Sequence, residues 1–470
     1  MVSAEVQQTL PDDISQKEFT EVLAAALRSI PRSDQRRWGE LYVRGLLSVR
    51  GKKTMRALAN GAGGGAEQSL YQFISKSPWD ADLVRGDLAR LLIRRAQPRA
   101  WVVQPLVITK VGRHSVGVER QWVSQIGRVV NCQQAMSVWL ATDHGSCPVD
   151  WELALPECWT GKEEMRRRAS IPTHVGSTPP ERCAVDSVSK MAREWGLRGR
   201  PVVMDLRETA PRPVCADLAT RQIPFVVRVD PSAVLPAGGP PDPAPAPRAA
   251  ADGAAGRGSS ADLYTALNKQ RMPVEWFDHA TGTVRATSVG AARVTLRRDP
   301  AAPQGQPERL DLVLLGAWTD PGRRTPGEFW LSNLAQSQLG TVYRTAMLSR
   351  RVERDLREES DRLGIRDFEG RSYRGWHHHM TMVSLAHAVT VLSPSRTQDP
   401  ALPVAGGPRL PSRATKVSVR GSRTAARDTR VPSRDTKVPS RDTKAPSLED
   451  TKVPAQDAEA PARDTKVTAA

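Results

Sequence analysis

Residues 100–156 read AWVVQPLVITKVGRHSVGVERQWVSQIGRVVNCQQAMSVWLATDHGSCPVDWELALP, and the pattern of this stretch decides the fold. It opens on Trp101, Val102 and Val103, and resumes with Leu106, Val107 and Ile108. After a turn at 111–113 comes the alternating segment VGVERQWVSQ. A second turn, at Gly127 and Arg128, leads into VVNCQQAMSVWLA and then PVDWELALP. Apolar–polar alternation between short turns rich in Gly, Asp and His predicts three or four strands in a meander. The first is apolar enough to be a central strand covered on both faces. Gln104 and Pro105 interrupt it. A proline has no N–H to give to a ladder, so it belongs at an edge, a bulge or a strand end.

Downstream, residues 181–197 form an amphipathic helix with Val185, Val188, Met191, Ala192 and Trp195 inward, ending at Gly199. Residues 201–205, PVVMD, are a short buried strand that ends in an acid. A helix over 214–222 and a strand over 225–229 follow. Strand–helix alternation of this kind implies parallel pairing with right-handed crossovers. Residues 231–259 are rich in Pro, Ala and Gly and read as a flexible loop. Strands over 272–298 and 309–318 suggest a partly β insertion. A last core segment starts near Trp330, and helices follow over 339–363 and 376–392.

Upstream, residues 1–98 are helical in pattern. Phe19, Val22, Leu23, Ala26, Leu27 and Ile30 share one helix face, and Ser33 and Asp34 suit the start of a second helix. Lys52, Lys53 and Arg56 precede a glycine-rich break at 61–65. They suit either salt-sensitive phosphate contacts or a solvated helix face. No Lys-Ser/Thr pair follows the glycines, so a phosphate loop is not supported. From residue 393 the motif SRDTKVP recurs with small variations. Such a polar, proline-bearing repeat buries too little apolar surface to fold and reads as a disordered tail.

The net charge of +17 favours a polyanion partner, nucleic acid first; the bland alternative is free use of arginine. The five cysteines contain no C-x-x-C pair, so neither a disulfide framework nor a zinc knuckle is indicated. No apolar run approaches the ~18–20 residues of a membrane span. The N-terminus lacks the basic and apolar regions of an export signal. The expected location is the cytoplasm, at the nucleoid, with no membrane partner.

AWVV, GRHSVGVERQWVSQIGRVVNCQQAMSV, GSCPVDWELALPECW, PVVMD and FEGRSYRGWHHH occur in this order. With residues 329–364, they make the chain resemble DDE-type transposases of bacterial insertion sequences, the DDE superfamily endonuclease group. The resemblance spans roughly residues 35–392. It implies an α/β, RNase H-like mixed sheet flanked by helices. The helical, DNA-binding region would be 1–98 and the core 99–230 and 329–392. A Pro/Ala/Gly-rich loop and β insertion would fill 231–328, and the disordered tail 393–470. It also implies double-stranded transposon-end DNA as partner and homo-oligomeric assembly. Strand-end acids and a helix-borne glutamate would hold two divalent ions, usually Mg2+, on hard oxygen ligands.

Carried over residue by residue, Asp205 matches the second aspartate of the family and Glu353 the catalytic glutamate, with Glu369 in reserve. Lys52, Lys53, Arg56, Arg371 and Arg374 are the implied DNA contacts. Outside the resemblance, an aspartate ending a strand is most often a cap or turn former, and a glutamate on a charged helix is most often solvated. The chain departs from the family at its first acidic position, where Gln104 and Pro105 replace an Asp-Asp pair. It departs again after Asp205, where Leu206, Arg207, Glu208 and Thr209 replace a tight glycine turn, and around Glu353, where Ser349, Arg350 and Ser360 stand at phosphate-binding positions.

A carboxamide brings neither the charge nor the affinity of a carboxylate. The expectation is therefore a retained fold with cleavage and strand transfer lost or residual. The alternatives are an active enzyme that recruits a substitute acid such as Asp150 or Glu119, and a domesticated DNA-binding regulator. His377, His378 and His379 point about 100° apart on a helix and cannot share one ion; packing at a helix start accounts for them better.

Overall fold

The computed structural model describes residues 9–60, 65–197, 199–234, 260–298, 306–320 and 322–393. The loop expected over 231–259 and the repeat tail lie almost wholly outside the described residues. The N-terminal part is helical, with α1 (Gln16–Ala26), α2 (Ser33–Ser48), α3 (Met55–Ala59), α4 (Ala66–Ser75) and α5 (Ala81–Ala96). Side chains cap the exposed amides of three of them. Ser15, Thr54 and Asp80 accept from the N–H groups of Glu18, Ala57 and Asp82.

The quoted stretch gives β1 (Ala100–Thr109), β2 (Glu119–Val123), β3 (Arg128–Ala141) and β4 (Ser146–Ala154). Then come α6 (Glu157–Thr160), α7 (Glu163–Ala169), α8 (Pro180–Arg193), β5 (Val202–Asp205), α9 (Pro211–Thr220) and β6 (Phe225–Val229). Next are α10 (Ser260–Lys269), β7 (Met272–Asp278), β8 (Thr283–Arg297), β9 (Arg309–Trp318) and β10 (Glu328–Ser332). The chain closes with α11 (Leu339–Asp355) and α12 (Tyr373–Leu392).

The strands form one sheet in the order β2-β3-β1-β5-β6-β10-β9-β8-β7, with β4 paired to β3. The meander is antiparallel, while β5 and β6 run parallel to β1. This mixed sheet flanked by helices is RNase H-like. The strands of the 272–318 segment extend the same sheet through β10, which pairs antiparallel with both β6 and β9. The helix expected over 339–363 keeps α geometry only to Asp355 and then makes one π-helical turn, Leu356–Ser360.

Pro105 lies inside a central strand, and the direction of its missing N–H explains how. The Trp101 N–H donates to the Pro201 carbonyl (3.0 Å), so odd-numbered residues of β1 turn their amides toward β5. Pairing with β5 runs only to Val102↔Val203, so Pro105 withholds its donor where that ladder has ended.

α12 is buried along nearly its whole length, which explains its apolar, histidine-rich sequence. His378 stacks on Trp79 with ring centroids 3.6 Å apart, and its two nitrogens lie 2.9 Å from the Ile74 and Trp79 carbonyls. His379 meets the Tyr42 hydroxyl at 2.9 Å and the Gly364 carbonyl at 3.0 Å. His377 faces the Arg85 guanidinium at 3.1 Å. The three rings point into different packing environments, and the helical bundle is assembled around them. All five cysteines are free thiols. Among the described residues no helix is long and apolar enough to cross a membrane.

A buried ionic knot joins the helical part to the sheet. Arg85 of α5 and Asp150 of β4 are 1% and 0% exposed and meet at 3.2 Å. Arg85 also donates to Thr381 Oγ1 (2.8 Å) and the Trp151 carbonyl (3.0 Å), and Lys190 of α8 donates to Asp150 at 3.2 Å. Removing one partner strands an uncompensated charge in the core. Asp150→Ala is therefore expected to cost about 3–5 kcal/mol in urea unfolding, and Arg85→Met paired with Asp150→Leu much less. An equal loss in the single and double variants would contradict this account.

Candidate active site

The register sets the site. β1 and β5 pair at Trp101↔Val202 and Val102↔Val203, so two residues further along Gln104 stands level with Asp205 on the same face. β5 pairs with β6 at Asp205↔Arg228, and β6 with β10 at Arg228↔Trp330. Alternation then puts Glu328 on that face too. α11 packs across the same strands and carries Glu353 and Arg350. The structure thus brings Gln104, Asp205 and Glu353 into one neighbourhood. Pro105, one residue on from Gln104, turns to the opposite face.

Two of the acids there, Asp205 and Glu328, are already engaged. Arg207 grips Asp205 from both sides, with Nε at 3.0 Å from Oδ1 and 2.9 Å from Oδ2, and Nη2 at 2.6 Å from Oδ2. The Arg207 backbone N–H adds a bond to Oδ1 at 3.0 Å. This fork-on-carboxylate geometry is among the stronger charge-assisted contacts, and it raises the Arg207 pKa. Arg228 Nη1 lies 4.0 Å from Asp205. Glu328, 8% exposed, accepts from Arg228 Nη2 at 2.9 Å and Arg350 Nη2 at 3.0 Å. Loss of water raises the Glu353 pKa, and the charge of Asp205 adds to the rise. Arg350, Arg228 and Arg207 pull the other way. Three carboxylates and three guanidiniums therefore cancel within the site.

A divalent ion of the Mg2+ type needs several free, hard oxygen donors in near-octahedral geometry. The residues present do not fit one. Gln104 offers a neutral amide, Pro105 has no side-chain donor, and both oxygens of Asp205 are bonded to Arg207. Among the described residues no group of three or more His, Cys, Asp or Glu side chains is disposed to hold a metal ion. Of the substitute acids considered from the sequence, Asp150 belongs to the buried knot, and Glu119, paired with Cys132, lies on the sheet face opposite Gln104.

The remaining sequence candidates lie on another part of the surface. Glu369 pairs with Lys52 and not with Asp205. It sits in the loop ahead of α12, which Lys110, just past β1, holds by donating to the Phe368 carbonyl at 2.7 Å. Arg56, Arg371 and Arg374 are exposed nearby in sequence to these contacts. Lys53 is a correction to the expected phosphate contacts: it is 4% exposed and its ammonium is turned to the Val49 carbonyl. Burial, helped by Arg362, lowers its pKa to about 8. Arg228 and Glu328 were missed by sequence reading. A single charge inside the apolar strand FVVRV (Phe225–Val229) was the available signal, because a buried strand tolerates one only opposite a partner.

No curated protein matches the chain. The sequence model of the DDE superfamily endonuclease family matches residues 26–298, a span that includes Gln104 and Asp205 but stops before Glu353. Enzymes of this family are nucleases that act on DNA and generally use divalent metals. With more than half of its length matched, the chain belongs to the DDE superfamily endonuclease family.

Proposed function

We propose that this chain is a transposase-type DNA-binding protein whose metal-dependent cleavage and strand transfer have been lost. The observation that carries the reading is the guanidinium of Arg207 closed on Asp205, with an amide at Gln104 in the facing row. The retained fold and the charge of +17 support a continuing role in DNA binding at transposon ends, as a repressor of transposition or a remnant. Exposed Lys52, Arg56, Arg371 and Arg374 supply phosphate contacts around the loop ahead of α12. Homo-oligomeric assembly on DNA and use at the nucleoid belong to the same reading.

Two measurements test it. In a supercoiled-plasmid nicking assay with Mg2+ or Mn2+, the wild-type chain is expected to leave the plasmid intact. Nicking that disappears in Asp205→Ala would defeat the proposal. In fluorescence anisotropy with duplex DNA, affinity is expected to fall linearly with log salt. Arg371→Gln with Arg374→Gln should flatten that slope by about 2, one for each phosphate contact removed. An unchanged slope would take these two arginines out of the interface.

A further inference from the structure

The β2–β3 hairpin runs on past the end of β1, whose pairing with β3 stops at Thr109↔Cys132. Its turn is closed by the Gly127 N–H donating to the Val123 carbonyl at 2.8 Å, with Gly127 at φ 68° where a side chain would be strained. Beyond the end of β1 the hairpin exposes Trp122 (61%), Val129 (49%) and Ile126 (42%). Trp122 pairs with Val129 and Arg120 with Asn131, and the ladder through Gln104↔Ser137 places all four on the sheet face of Gln104 and Asp205. From Arg120 to Asn131 the hairpin carries two arginines and no acid.

Both ends of the hairpin touch surfaces already described. At its tip, the Ser124 hydroxyl donates to Glu208, three residues after Asp205 and so within about 10 Å of it along the chain. At its base, Asn131 donates to the Lys110 carbonyl at 2.6 Å, and Lys110 in turn holds the loop of Glu369 and Arg371. The arm therefore spans from the acid strand to the basic surface ahead of α12.

We infer that this hairpin is a DNA-gripping arm in which Trp122 stacks on an unpaired base and Arg120 takes a phosphate. The inference rests on the DNA-binding reading above. A rigid, exposed aromatic beside a cation fits an unstacked base, since stacking works with any base and needs one face free. A closed duplex offers no such face.

The test is anisotropy titration of the full chain with a blunt duplex and with the same duplex bearing a single-stranded overhang, alongside sedimentation of each variant. Wild type is expected to prefer the overhang. Trp122→Ala should lose about tenfold on the overhang and little on the blunt duplex, while Trp122→Phe retains most of the preference. Arg120→Gln should weaken both and lower the salt slope by about one. If wild type binds DNA but Trp122→Ala binds the overhang equally well, the arm is not a stacking element. If Trp122→Ala instead changes only the sedimentation coefficient, the apolar edge is a self-association contact and the inference fails. Wild type binding neither DNA would overturn the underlying DNA-binding reading itself.

Discussion

Gln104→Asp combined with Arg207→Ala is expected to bind Mn2+ and nick supercoiled plasmid, whereas Gln104→Asp alone does neither. The reason is geometric. Gln104 is the residue of β1 that shares a row and a face with Asp205, so a carboxylate there faces Asp205 and Glu353. A second acid is not enough while Arg207 holds both oxygens of Asp205 at 2.6–3.0 Å. The guanidinium already supplies the positive charge that a divalent ion would bring, and an ion would have to displace it. Changing a group that merely orients a metal ligand costs roughly 10–100-fold, so placing a carboxylate beside Asp205 and freeing the oxygens of Asp205 should lift nicking about 100-fold or more above the background seen with wild type. Pro105→Asp should add nothing, because its side chain projects from the other face. Calorimetry with Mn2+ reads the binding and the plasmid assay reads the cleavage. Activity in the Gln104→Asp single variant would show that the Arg207 clamp is not an obstacle.

The second large effect is acid lability. Burial pushes the pKa of His378 and of His379 down to about 4, against the pull of their carbonyl partners, and that of His377 well below its ordinary value. In the unfolded chain each imidazole titrates near 6.5. Below that pH the unfolded state binds more protons than the folded one, so stability must fall with pH. The stabilisation is whole above pH 6.5 and is lost as the pH drops toward 4. Together His378 and His379 account for on the order of 5 kcal/mol over that window. Urea unfolding at a series of pH values should show the midpoint dropping between pH 6.5 and 4. His378→Gln should flatten the drop, though at the cost of contacts to Ile74 and Trp79. A midpoint with the same pH dependence in wild type and variant would mean that these rings are not the titrating groups.

Both effects lie where the sequence could be read in part. Residues 100–156 announced their strands because alternation over neighbouring positions is a local property of the backbone pleat. PVVMD announced a strand ending in an acid for the same reason. An amide at Gln104 where the family resemblance implies an acid was legible only through that resemblance, because one position by itself does not say what stood there before. The histidine triplet was legible as packing, because helical spacing alone keeps three consecutive rings from one ion. What each ring packs against was not, since Tyr42, Ile74 and Trp79 lie some 300 residues away in the chain.

By itself the sequence determined the α/β alternation and the strand that ends in Asp205, both of which follow from periodicities over a few residues. Only the tertiary structure decided that 272–318 joins the core sheet, that Lys53 turns inward, and that Arg228 and Arg350 converge on Glu328. Charge pairing between residues 100 apart, such as Arg228 with Glu328, depends on how whole strands and helices stack. No local pattern encodes that, because an ion pair needs proximity in space and is indifferent to separation along the chain.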